Sequence, residues 1–208
     1  MGEISIRRAV ISDLPYLYEI CLKTGHSGRD ASEFYFDPYL FGQYYAAPYL
    51  IYPEGICIVA EYLHRPYGYV VAVGDTVKFS QWMESEWLPP LRARYTQPFP
   101  QELIRTDREK SAIDMLHRTQ FPVDLSTRPH YVEYPAHLHI DLLPEIQQQG
   151  VGRKLINSLF DELSRQNVPG LHLNVSASNP GAIAFYRKTG FIVIKEQEYG
   201  LCMGRKCT

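Results

Sequence analysis

The residues best suited to chemistry lie between positions 137 and 154. An apolar, strand-like run, HLHIDLLP, stops at Pro144, and glycines follow at 150 and 152, directly ahead of a helix-patterned segment. Lacking side chains, Gly150 and Gly152 let the backbone curl and bring free N–H groups against an anion at the positive end of that helix; the natural ligand is a phosphate. A plain helix entry can produce the same pair of glycines. In the strand before the turn, alternation puts His137, His139 and Asp141 on one face, provided no bulge intervenes. Glu61 and Glu133 lie on or near neighbouring strands. All five suit proton transfer, and all five also suit structural hydrogen bonding.

These groups need a sheet to hold them. Ile4 and Ile6 mark a first strand, and Ser12 or Asp13 is positioned to cap a helix with apolar residues Leu14, Leu17, Tyr18, Cys21 and Leu22, ended by Gly25. An aromatic stretch broken by Gly and Pro follows, with a short helix expected near residues 37 to 46. It reads either as a loop covering the core or as the mouth of an acceptor pocket lined by Phe34, Tyr35, Tyr39, Tyr44 and Tyr45. Runs 56–62 and 67–73 form an antiparallel hairpin across residues 63–66. Residues 74 to 134 break the pattern: SQWMESEWLPPLRARY and REKSAIDMLHRTQ read as two helices of an insertion, too weakly periodic to have their own core. Trp82, Glu84, Glu86, Trp87, Arg92 and Arg94 could form the wall of an acceptor site there, or a structural flap or dimer contact.

Ala136 to Leu143 then forms the strand entering the glycine turn. Val151, Leu155, Ile156, Leu159, Phe160 and Leu163 make the apolar face of a helix running to about Gln166. LHLNVSAS is another strand. Asn179 followed by Pro180 starts a helix with Ala182, Ile183, Phe185 and Tyr186 inward and Gly190 as a left-handed C-cap. A hairpin of FIVIKE and residues 199–203 closes the chain.

A length of 208 residues favours one domain, 1–208, with the insertion at about 74–134. A net charge of −2 with both signs dispersed argues against a nucleic-acid surface. No apolar run is long enough to span a bilayer. The four cysteines show no metal-type spacing and the start, MGEISIRRAV, shows no secretory pattern, so no metal site and a cytoplasmic location are expected.

Two separated motifs resemble those of the GNAT acetyltransferase superfamily. Gln147, Gly150 and Gly152 occupy the fixed places of QxxGxG, with Pro144 where many members carry proline. Asn179, Ala182, Phe185, Tyr186, Gly190 and Phe191 resemble NxxAxxFYxxxGF. The order of elements matches over essentially the whole chain. More narrowly, FDPYLFGQYYAAPYL, FSQWMESEWLPPLRARY and HLHIDLLP resemble bacterial acetyltransferases related to the acetyltransferase-like C-terminal domain of protein O-GlcNAc hydrolases, whose catalytic barrel this chain is too short to hold.

The resemblance implies an α/β (α+β) GNAT fold: a central mixed, mostly antiparallel sheet flanked by helices, with a helical insertion before the cofactor-binding strand. It implies transfer of acetyl from acetyl-CoA directly to an amine, on a small molecule or on a protein or peptide; a homodimer is one open assembly, which the sequence does not settle. Backbone groups of Leu142, Leu143 and Pro144 would pair with the pantetheine arm as an added strand. Gln149, Gly150, Val151, Gly152, Arg153, Lys154 and Leu155 would hold the pyrophosphate, although Arg153 and Lys154 also read as a solvated helix face. Asn179 would bond the pantetheine arm or only cap its helix. Tyr186 would protonate the departing thiolate. A protonated amine needs a base, and Asp141 is the first choice, followed by Glu61 and His139. The animal relatives of this module are thought to have lost acetyl-CoA binding, so a non-catalytic binding module is the alternative.

Overall fold

The computed structural model describes residues 3–119, 123 and 125–207. Seven strands form one sheet in the order β1-β2-β3-β4-β5-β7-β6, where β1 is Ser5–Arg8, β2 Gly55–Tyr62, β3 Arg65–Val73, β4 Ala136–Leu142, β5 Gly170–Ser176, β6 Ile192–Gln197 and β7 Gly200–Lys206. Every neighbouring pair is antiparallel except β4 and β5. This is the mixed, mostly antiparallel sheet that the sequence led us to expect.

Strands β2 and β3 are apolar on both faces because both faces are covered. Cys57, Val59, Tyr69, Val71 and Val73 point to one side, where they meet helix α1 (Leu14–Thr24) and the short helices α2 (Gly42–Tyr45) and α3 (Ala47–Ile51). Ile56, Ile58, Val70, Ala72 and Leu138 point to the other side, against α7 (Val151–Arg165) and α8 (Pro180–Lys188). The six apolar residues named for α7 in the sequence are its buried ones. Each such side chain contributes about 1.5–3 kcal/mol on burial, which fixes this helix and its N-terminus against the sheet.

The insertion holds α4 (Thr76–Trp82), one π turn (Met83–Trp87), α5 (Leu88–Arg94) and α6 (Asp107–His117). Sequence periodicity suggested a single helix through Trp82, Trp87 and Arg94. It runs without a break through α4, the π turn and α5; Pro89 and Pro90, which cannot donate a helical hydrogen bond, sit in the first turn of α5 directly after the π turn. The helix also starts earlier than the pattern showed, capped by Asp75 Oδ1 accepting from the N–H groups of Val77 at 2.9 Å and Lys78 at 3.0 Å. The α6 pattern reached Gln120, which lies outside the described residues. Phe79, Met83, Leu88, Leu91, Ala112, Ile113 and Leu116 bury against the α1 side of the sheet. Buried Glu109 ties the insertion to the aromatic stretch by accepting from the N–H groups of Phe36 at 2.7 Å and Arg105 at 2.7 Å.

Three smaller expectations change. The hairpin turn is only Leu63 and His64, both with positive φ, because Arg65 and Pro66 already pair in β3. The single helix expected near 37–46 is two short ones, parted at Ala46. Neither Ser12 nor Asp13 caps α1 through its side chain. The Asp13 carboxylate instead accepts from the Val10 N–H at 2.9 Å and pairs with Arg7 at 2.7 Å.

Candidate active site

Strand β4 leaves β5 almost as soon as the two meet. They pair only at Ala136 with Leu171 and His137 with His172, and beyond that point the sheet opens into a wedge. The register with β3 shows what lines it. The Leu143 N–H donates to Tyr67 O at 2.8 Å, so residues 143, 141 and 139 direct their main-chain groups toward β3. Ile140 and Leu142 therefore direct theirs into the wedge.

The three residues expected to meet the pantetheine arm are oriented differently. Leu142 faces the gap, with its carbonyl accepting from Gln147 Nε2 at 2.8 Å. Leu143 is turned the other way and Pro144 has no N–H; their carbonyls accept from Ile146 and Gln147 at 3.2 Å. Ile140, which the motif did not single out, directs its main-chain groups into the gap as Leu142 does, and the two-residue alternation of a strand is the signal that could have found it.

At the end of the wedge stands the start of α7. Gly150 is left-handed, with φ of 76°, and a Cβ there would meet nothing within 4 Å. The first helical bond runs from the Lys154 N–H to Gly150 O at 3.1 Å, so the N–H groups of Val151, Gly152 and Arg153 precede the helical ladder. Gly152 has a packing reason of its own: a Cβ would come within 3.1 Å of the Phe185 ring on α8. Val151 and Leu155 bury their side chains and can offer only main chain. Arg153 and Lys154 are exposed, and no carboxylate pairs with either among the described residues. Gln149 donates its amide to Glu145 O at 2.9 Å, and Asn179 caps α8 by accepting from the Ala182 N–H at 3.0 Å.

On the α1 side, β4 presents His137, His139 and Asp141 together, as alternation required. Their roles differ. The Thr76 hydroxyl donates to Pro135 O at 2.6 Å, so it must accept from His137 Nδ1 at 2.8 Å; His137 Nε2 then accepts from the Tyr49 hydroxyl at 2.8 Å. Both nitrogens of His137 are committed, and burial holds it neutral. His139 packs edge-on against Tyr45 and Tyr49, at 5.1 and 5.5 Å between ring centroids. Its ring nitrogens have no hydrogen-bond partner among the described residues, and burial lowers its pKa to about 4. The Asp141 carboxylate accepts from the Tyr69 hydroxyl at 2.6 Å. Burial pushes its pKa up, with the Tyr69 and Thr24 hydroxyls pulling it back. Tyr186 is buried on α8 between Phe185 and Phe191; burial and the charge of Asp141 raise its pKa, which keeps the phenol protonated. Its hydroxyl has no hydrogen-bond partner among the described residues.

Glu61 is not brought to this place. Its carboxylate pairs with Arg7 at 2.6 Å on the β1–β2 edge, where a bulge between Ala60 and Glu61 shifts the strand. Glu133 is exposed and pairs with Lys206 at 2.7 Å.

A cleft of about 370 Å³ opens beside His139, lined by residues of α2–α4, β4 and β5 together with Arg128 and Tyr131. Of the aromatic stretch, Tyr44 and Tyr45 reach it and Phe34, Tyr35 and Tyr39 do not. The insertion does supply a wall, but through Thr76, Phe79, Ser80 and Met83. Glu84 is instead forked on Arg92 at 2.8 and 3.0 Å, Arg94 pairs with Asp37 at 3.1 Å, and Trp82 stacks between Phe79 and Trp87. Among the described residues, no group of three or more His, Cys, Asp or Glu side chains could hold a metal, and no helix is long and apolar enough to cross a membrane.

A splayed pair of parallel strands with a glycine turn and a helix start beside the gap is the arrangement of the GNAT acetyltransferases, and the chain belongs to that family. The sequence model described as Acetyltransferase (GNAT) family matches residues 123–191. Over its whole length the chain is similar to a crystal structure described as SsHAT, at 32% identity, with 99% of each chain covered and a TM-score of 0.86. The PaiA N-acetyltransferase from Thermoplasma acidophilum, solved in complex with coenzyme A, shares the fold at 14% identity, covering 98% of this chain and 99% of that one with a TM-score of 0.55. The [ribosomal protein bS18]-alanine N-acetyltransferase of Escherichia coli (strain K12) is 43% identical over 65 residues, 30% of this chain and 44% of that protein. The chain thus matches less than half the length of that curated relative.

Proposed function

We propose that this protein is an acetyl-CoA-dependent N-acetyltransferase that passes the acetyl group directly to an amine. The observation that carries the reading is the wedge: main-chain groups of Ile140 and Leu142 face a gap that ends at unladdered helix N–H groups, with His139 and Asp141 on the α1 face of β4 and Tyr186 on α8 at the opposite face. An extended pantetheine arm can pair there as a strand would, with its pyrophosphate at the start of α7, where Arg153 and Lys154 add positive charge.

The residues then divide the proton work. As the amine nitrogen bonds to the thioester carbon, the C–S bond breaks and its electron pair leaves on sulfur. Tyr186, kept protonated by its surroundings, offers its hydroxyl proton to that sulfur. The nitrogen's surplus proton goes to His139, whose ring is neutral, lines the cleft and has no hydrogen-bond partner among the described residues. Asp141, engaged by Tyr69, fixes the electrostatic surroundings of Tyr186 rather than accepting that proton. No acyl-enzyme is invoked, since all four cysteines are buried.

The narrower resemblance to acetyltransferases related to the O-GlcNAc hydrolase C-terminal domain fits this reading, as does either a small-molecule or a protein acceptor in a cytoplasmic setting. Free thiol released from acetyl-CoA on adding amines, with His139→Gln slowing release at unchanged coenzyme A affinity, is the expected result. Tight coenzyme A binding without thiol release across small amines and peptides would instead make the chain a binding module.

A further inference from the structure

We infer that the acceptor is an arylamine carrying a carboxylate, a small ring compound whose amino group is attached directly to the ring and enters beside His139 while its acid reaches Arg128. This rests on the acetyltransferase reading above and names the acceptor class for the same cleft.

Charge is the first argument. An alkylamine arrives as an ammonium ion and is stabilised by carboxylates, yet none of the described residues lining the cleft is Asp or Glu. The three histidines lining it are neutral near pH 7, because burial lowers His139 and His172 to about 4 and His137 well below its ordinary value. Arg128 is the one cation among the described lining residues. It is exposed, donates to the Tyr131 hydroxyl at 3.1 Å and lies 5.6 Å from that ring's centroid. No carboxylate pairs with it among the described residues, so it is available to an anionic ligand group. A cleft with this balance repels an ammonium ion and attracts an acid.

Shape and proton chemistry agree. Tyr45, Tyr49, Phe79 and Tyr131 line a space of about 370 Å³, near the lower end of small-molecule sites and suited to one or two rings. An arylamine shares its nitrogen lone pair with the ring and is unprotonated at neutral pH, so nothing must deprotonate it before attack. Once the C–N bond forms, the nitrogen carries a positive charge and sheds its proton readily. A base as weak as His139 is then sufficient, whereas removing a proton from an alkylammonium would need a stronger one.

The test compares acceptors in matched pairs, using acetyl-CoA-dependent thiol release and calorimetric titration into the coenzyme A-saturated protein. The expected order of kcat/KM places 4-aminobenzoate above aniline, which lacks the acid, and above 4-(aminomethyl)benzoate, whose amine is protonated, by about tenfold or more in each case. Putrescine and a peptide with an N-terminal alanine should fall lower still. Arg128→Ala should reduce kcat/KM for 4-aminobenzoate about tenfold more than for aniline. Equal or faster turnover of putrescine or of the alanyl peptide would overturn the inference, as would an Arg128→Ala loss that is the same for both arylamines. If no amine releases thiol, the acetyltransferase reading fails. Calorimetry then decides the cleft alone: selective binding of 4-aminobenzoate over putrescine upholds the ligand class, and no selectivity overturns it.

Discussion

His172 couples the site to the stability of the fold. Its side chain is 2% exposed, its ring stacks on Tyr131 with centroids 4.5 Å apart, and its Nδ1 donates to Tyr134 O at 2.6 Å. Burial lowers its pKa to about 4. Because the folded-state value lies below the unfolded one, the unfolded chain takes up the proton first. The stability that depends on the neutral ring is therefore intact above about pH 6.5 and is lost progressively as pH falls toward 4. At about 1.4 kcal/mol per pH unit, the loss is about 3 kcal/mol over the whole window and about 2 kcal/mol between pH 7 and pH 5. That is a sizeable share of the ~5–15 kcal/mol typical of a folded domain.

His172→Asn places an amide donor near Nδ1 and removes the titration. At pH 7 the variant should be less stable than the parent, since it loses the ring stacked on Tyr131. At pH 5 the gap should have narrowed by about 2 kcal/mol, because only the parent suffers the protonation loss. Urea unfolding at pH 7, 6 and 5, followed by emission of Trp82 and Trp87, the two tryptophans of the chain, measures both curves. Contributions from other groups, including the opposite trend from Asp141, are common to the two proteins and cancel. Parallel curves, with a constant gap across this range, would refute the assignment of His172 as a histidine held neutral by burial.

Four further variants test the site. Gly152→Ala makes the half-buried Phe185 ring give by a few tenths of an ångström, a cost offset by the helical preference of Ala over Gly, about 1 kcal/mol, so its stability should change little. Gly150→Ala meets only the left-handed strain of about 1–2 kcal/mol, with open space around its Cβ. Both should weaken coenzyme A binding in calorimetry. Tyr186→Phe should lower kcat about 100-fold, the lower end of acid catalysis because the raised pKa makes the phenol a poorer acid, while coenzyme A affinity is retained. An unchanged rate with chemistry shown to be limiting would make it a packing residue. Glu61→Gln should leave kcat unchanged and cost at most about 1 kcal/mol of stability through Arg7; a kcat loss as large as that of His139→Gln would return Glu61 to the site.

Local pattern was enough where one element carries the information. The apolar face of α7, the left-handed glycine at 190, the Asn179 cap and the shared face of His137, His139 and Asp141 each depend on spacing within a single helix, turn or strand, which the order of residue types encodes directly. The fate of a side chain that can find a distant partner was not legible in that way. Glu61 reads like Asp141 until folding brings Arg7 to one and Tyr69 to the other, from 54 and 72 residues away. Glu84 reads as an acceptor contact until Arg92 claims it. Tertiary structure alone made three equivalent-looking groups on β4 unequal: Thr76 and Tyr49 saturate His137, Tyr69 engages Asp141, and His139 has no hydrogen-bond partner among the described residues. The wedge itself, and hence which main-chain groups face it, is decided by where β4 stops pairing with β5, a relation between strands that neither strand's own sequence contains.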